Sequence, residues 1–121
     1  MHAYLFNLLF DNGKFSGIID FEIAEVSHRI FDICYCATSV LSEIFGKEAK
    51  RGRWVLFSKT LFSHYDESIG LLACEKEHLR DMMLCIQLIF MAYFSKNKDL
   101  FTINAEMLVW IFERREAWKQ I

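Results

Sequence analysis

Apolar positions along the chain change their period once, near residue 28. Before it, Asn7-Leu8-Leu9-Phe10 and the run from Phe15 to Phe21 flank Asp11-Asn12-Gly13-Lys14. An Asn-Gly pair between two apolar runs predicts a β-hairpin, because both turn residues tolerate the positive φ of a type I′ turn. Beyond residue 28 the spacing becomes helical. Ile30, Cys34, Ala37, Leu41 and Ile44 predict a first helix that stops at Gly46. Trp54, Phe57, Leu61 and Tyr65 predict a second, closing near Gly70. Leu79, Met82, Met83, Ile86, Phe90 and Tyr93 predict a third, with Glu75 and Glu77 in its first turn, where the helix dipole favours acids. Met107, Trp110, Ile111, Arg114, Ala117 and Trp118 predict a fourth, with Arg114, Arg115 and Lys119 toward its C-terminal end. The expected class is α+β and mostly α: a short N-terminal hairpin segment (1–24) followed by a region of about four helices (28–121), in one domain.

Composition narrows this picture. A chain of 121 residues with 12 Phe and no Pro has ample apolar surface to offset the entropy of ordering, so disorder is excluded. The length suits one domain and is too short for a complete two-lobed enzyme. Part of the apolar excess is therefore expected to be covered by a partner, on a face around Leu5, Phe6 and Phe10. A net charge of −2 and a pI near 6.1 argue against a general nucleic-acid or membrane binder. The longest apolar run, Met82–Phe94, falls short of the roughly 20 residues a bilayer demands. The N-terminus has no basic region or cleavage pattern, so a cytoplasmic protein is expected. Cys34, Cys36, Cys74 and Cys85 form no C-x-x-C pair, which points to reduced, buried thiols.

The hairpin also carries candidate chemistry. With a two-residue Asn12-Gly13 loop, Asp11 pairs with Lys14 and Asn7 faces Ile18. Period-two alternation then puts Asn7 and Asp20 on one face as diagonal neighbours, roughly 7–8 Å apart at the backbone. An amide oxygen and a carboxylate at that distance can share a hard cation such as Mg²⁺. On the residues alone, turn or capping roles for the same two side chains stand beside this reading.

The segment Asn7-Leu-Leu-Phe-Asp-Asn-Gly-Lys-Phe-Ser-Gly-Ile-Ile-Asp20-Phe-Glu22-Ile-Ala24, followed by Arg29-Ile-Phe-Asp32-Ile, resembles the catalytic segment of the aminoglycoside phosphotransferase and choline kinase-like superfamily. Type II homoserine kinases are similar. There a His-Gly-Asp-x-x-x-x-Asn loop leads into a hairpin ending in Ile-Asp-Phe/Trp-Glu/Asp, and an Asp-Leu/Ile-Ala helix start follows. The resemblance covers about the first third of the chain and implies a C-terminal lobe of a protein-kinase-like fold. It implies that Asn7 and Asp20 bind Mg²⁺ and, through it, the phosphates of ATP. Glu22 matches the family's second acidic position. Asp32 matches an Asp that ties the catalytic loop to the following helix.

Departures from the family pattern accompany the match. His2 occupies the position of the family's catalytic Asp, and Met1 falls on the motif's Gly. These residues include no Gly-rich nucleotide loop and no phosphate-pairing Lys. The expectation is a truncated lobe that is inactive alone, with nucleotide and a small-molecule hydroxyl substrate as its partners if an N-lobe completes it. The competing expectation is a non-catalytic helical interaction module or homo-oligomer derived from that lobe. Other candidates have bland readings. Cys34 and Cys36 point to different sides of a helix, and Cys74 with His78 makes only two ligands of a four-ligand zinc site. His28 and His64 have no evident partners. Lys47, Lys50, Arg51 and Arg53 around Gly52 read as a solvated interhelix turn, with a phosphate contact as the functional alternative. Trp54, Phe57 and Tyr65 read as core, with a cage for a cationic substrate as the alternative.

Overall fold

A computed structural model describes residues 8–18 and 29–119. Strands β1 (Leu8–Asp11) and β2 (Lys14–Ile18) pair antiparallel. Asn12 and Gly13 take φ of 51° and 77°, the left-handed pair that a type I′ turn requires. Asp11 pairs with Lys14 and Phe10 with Phe15, as the turn dictates. The register then shifts, so that Leu9 pairs with Gly17 and Leu8 with Ile18. Ser16 is the extra residue of a β-bulge, and one extra residue exchanges the two faces of a strand beyond it. Leu8, rather than Asn7, therefore faces Ile18. Asn7 and Asp20 themselves lie outside the described residues.

Five helices follow, one more than the periodicity predicts, with a closing 3-10 turn at Arg115–Trp118. Helix α1 (Arg29–Ile44) packs against both α2 and α4. Between the buried Ile30 and Leu41, its buried positions are small or polar, namely Cys34, Cys36, Ala37, Thr38 and Ser39. Small side chains let neighbouring helices approach, and the hydroxyls are satisfied within the helix. Thr38 Oγ1 donates to the Tyr35 carbonyl at 3.1 Å, and Ser39 Oγ to that of Cys36 at 2.9 Å.

Helix α2 (Glu48–Ile69) starts earlier than expected. The basic cluster is not an interhelix turn: Lys47 is the N-cap, and Lys50, Arg51 and Arg53 lie in the first two turns. Gly52 is accommodated on the exposed side. The buried stripe is also rotated from the predicted one. Trp54, Ser58 and Phe62 face the core while Phe57 is 41% exposed. A shift of one residue turns a helix by about 100°. The reason is Trp118, whose indole N–H donates to Ser58 Oγ at 2.9 Å; the ring needs a small polar neighbour there. Gly70, with φ of 67°, ends α2 in the left-handed conformation, its N–H donating to the Asp66 carbonyl at 2.7 Å.

Glu75 and Glu77 belong to a separate short helix, α3 (Ala73–Glu77), rather than to the first turn of the next one. Helix α4 (Leu79–Tyr93) then begins after His78, and α5 (Lys98–Glu113) is capped by Asn97, whose side chain accepts the Leu100 N–H at 3.1 Å. Its start lies nine residues before the Met107 that headed the predicted stripe. Helices α4 and α5 pack against each other, and α4 packs on α1.

The core centres on three tryptophans. Trp54 lies 5.7 Å from Trp118 and 5.8 Å from Trp110 between ring centroids. The Trp54 N–H donates to the Ala37 carbonyl of α1 at 2.9 Å, so both buried indoles have the polar partner that burial requires. Cys34 and Cys36 are buried, but Cys74 and Cys85 are exposed, which corrects the expectation of four buried thiols.

Candidate functional site

Four of the residues singled out by the sequence, His2, Asn7, Asp20 and Glu22, lie outside the described residues, as does His28. Asp32 is in the first turn of α1 and half-buried. It sits near Tyr65, whose hydroxyl is held above its ordinary pKa by burial and then by the Asp32 charge.

What the structure does show is how the start of α1 is anchored. The Arg29 guanidinium bridges both carboxylate oxygens of Glu75, with Nε at 3.0 Å from Oε2, and also donates to the Gly70 carbonyl at 3.3 Å. The backbone carbonyl of Arg29 accepts the Tyr65 hydroxyl at 2.9 Å. Residues from α1, α2 and α3 thus converge on one helix terminus. Arg29, followed by the Leu72 N–H at 2.9 Å, pulls the Glu75 carboxyl down to about 2. Next to it, Lys76 at 3.0 Å and the Leu71 N–H at 2.8 Å hold Asp66 below its ordinary value. Sequence reading missed this cluster because Arg29 and Glu75 are 46 residues apart. No local pattern announces such a pair.

The remaining candidates resolve toward structural roles. Among the described residues, no group of three or more His, Cys, Asp or Glu is arranged to hold a metal ion. Cys34 Sγ donates to the Leu79 carbonyl at 3.4 Å, and burial pushes both its thiol and that of Cys36 up, away from the thiolate a metal needs. His78 Nδ1 meets the Cys74 backbone carbonyl at 2.6 Å rather than its sulfur. His64 is exposed and lies 3.7 Å from Glu67. Trp54 is core, Tyr65 is committed to Arg29, and Phe57 points elsewhere, so the three rings form no cage. An open groove of about 410 Å³ runs along α5, lined by Phe101, Ala105, Glu106, Val109, Trp110 and Glu113 among others. No described helix is long and apolar enough to cross a membrane.

Comparison with known proteins adds what the described geometry does not reach. No curated protein and no solved structure matches the chain. The sequence profile of the phosphotransferase enzyme family does, over residues 3–66. That span runs from the hairpin through α1 to Asp66, and it contains Asn7, Asp20, Glu22 and Asp32 in order. It is more than half of the 121 residues, and on that ground the chain belongs to the phosphotransferase enzyme family.

Proposed function

We propose that this chain carries the metal- and phosphate-handling part of an ATP-dependent phosphotransferase whose acceptor is the hydroxyl of a small molecule, in the manner of choline, homoserine or an aminoglycoside. The observation that carries the reading is the family match over residues 3–66, which spans Asn7, Asp20, Glu22 and Asp32. Asn7 and Asp20 would hold Mg²⁺. An amide oxygen and a carboxylate are hard donors of the kind this ion takes, and two protein ligands leave room for phosphate oxygens. Bound there, the metal neutralises charge that develops on the transferring phosphoryl group.

Other residues of the chain have supporting parts. Asp32 stands in the first turn of α1, beside Tyr65. The Arg29–Glu75 pair and the Tyr65 hydroxyl fix the residue at which the segment containing Asp20 joins α1. His2 stands where the family has its catalytic Asp, so an imidazole replaces the carboxylate there. The isolated 121 residues are accordingly expected to bind Mg²⁺-ATP with little turnover.

Isothermal titration tests this directly. Mg²⁺-ATP should bind with a Kd of about 1 mM or tighter, metal should be required, and Asp20→Ala should abolish the heat. ADP release should stay near background. Absence of binding at that concentration, or binding unchanged in Asp20→Ala, rejects the reading.

A further inference from the structure

Two surface patches of opposite charge lie side by side around the aromatic seam of Phe45, Trp54 and Trp110. Trp110 lies 6.2 Å from Phe45 and 5.8 Å from Trp54, so the Trp110 edge of α5 meets the first turns of α2. On the α2 side, Lys47, Lys50 and Arg53 are exposed and are followed by Leu56 and Phe57, 71% and 41% exposed. On the α5 side, the open groove has an apolar floor that includes Phe101 and Val109, the latter 54% exposed, and an edge carrying Glu106 and Glu113. Glu113 is 3.8 Å from Arg114, whose guanidinium stacks on Trp110 at 3.9 Å. Among the described residues Glu106, Lys47, Lys50 and Arg53 make no ion pair.

Neither patch can satisfy the other within one molecule, because both face outward. A two-fold axis removes that obstacle: it sets the α2 patch of one copy against the α5 groove of the other, and does so twice. The spacing of the residues permits this. Glu106 and Glu113 flank Val109 at three and four positions, one helical turn on either side. On α2, Arg53 precedes Leu56 by three and Lys50 precedes Phe57 by seven. Laid antiparallel, Arg53 of one helix meets Glu113 of the other while Leu56 covers Val109.

We infer that this face is a self-complementary dimer surface, in which the basic and apolar start of α2 docks on the acidic and apolar groove of α5 in a second copy of the chain. The inference is independent of phosphoryl transfer. It is separate from the face expected around Leu5, Phe6 and Phe10, of which Leu5 and Phe6 lie outside the described residues and Phe10 is 58% exposed.

Sedimentation equilibrium on the 121-residue chain, from about 1 to about 200 µM, tests it. A monomer–dimer equilibrium is expected, weakened several-fold by raising salt from about 0.05 to about 0.5 M. Glu113→Lys and Arg53→Glu should each weaken association about tenfold or more, and the two together should recover most of the loss, since the swapped charges again face each other. All these positions are exposed, and circular dichroism should show unchanged helix content. Val109→Glu should abolish the dimer. A monomer throughout the range overturns the inference and assigns the face to a different protein. A dimer indifferent to Val109→Glu, or a double variant no better than the singles, overturns it as well.

Discussion

Helix α1 and the α4–α5 pair invert the usual relation between composition and burial. Helix α1 buries Cys34, Cys36, Ala37, Thr38 and Ser39, residues with little apolar area, and leaves no large hydrophobic side chain exposed. The α4–α5 pair is only slightly richer in Leu, Ile and Phe, yet Leu88, Ile89, Tyr93, Val109 and Phe112 are each at least half exposed. Position in the fold decides. α1 has neighbours on two sides, α2 and α4, whereas the outer faces of α4 and α5 have none among the described residues. The lesson is that an apolar stripe identifies a helix face with affinity for something, and only packing says whether the chain itself supplies it.

That contrast can be broken experimentally. The largest effect belongs at the seam between α1 and α2. Trp54→Ala should cost about 3–5 kcal/mol in urea denaturation, since it removes a fully buried ring and its hydrogen bond to the Ala37 carbonyl. A loss under about 1 kcal/mol would mean that α1 is not held from that side. Ser58→Ala ranks next, at about 1–3 kcal/mol, because it leaves the buried Trp118 N–H without its acceptor. Replacement by Thr, which keeps the hydroxyl, should recover part of that loss. Equal midpoints for Ser58→Ala and wild type would remove the hydrogen bond from the account.

The ion pair at the start of α1 gives a pH test. Glu75 has a folded pKa of about 2, below its ordinary 4.5, so the folded state binds its proton less readily than the unfolded chain does. Its contribution is present above pH 4.5 and is lost as pH falls toward 2. Wild type should lose stability across that window, and Glu75→Gln should show a shallower slope with a lower midpoint at neutral pH. A slope identical in the variant would locate acid sensitivity elsewhere, with Asp66 as the next candidate. The smallest effect belongs to the outer face: Leu88→Ser should change stability by less than about 0.5 kcal/mol. A cost above about 2 kcal/mol would show that α4 is covered after all.

The same contrast explains what could be read from the sequence. The hairpin turn was legible because Asn12-Gly13 is a local signal that needs no tertiary partner. The α1 stripe was legible because Ile30, Cys34, Ala37 and Leu41 are all buried at the predicted spacing. The phase of α2 was not, since Ser58 replaces Phe57 in the core only because Trp118, 60 residues away, requires an acceptor. The early start of α5 was hidden by exposed apolar residues, Leu100, Phe101 and Ile103, which blur its periodicity. The bulge at Ser16 was illegible too, as either register satisfies the turn. The candidate site divides in the same way. Asn7, Asp20, Glu22 and Asp32 are contiguous in a motif and fall inside the family match. The Arg29–Glu75 clamp is a meeting of distant segments, and nothing in the spacing foretells it.

The tryptophan cluster has a consequence for anyone who follows this protein by light. The chain's three tryptophans all sit within one cluster, and Trp110 lies under the Arg114 guanidinium at 3.9 Å. Intrinsic fluorescence therefore samples one place, the docking of α5 and the closing turn onto α2. A titration or melt read at tryptophan wavelengths reports when that joint opens and stays silent about the Asn12-Gly13 turn. Ligand binding at the hairpin calls for a second reporter placed there, because the hairpin contains no tryptophan.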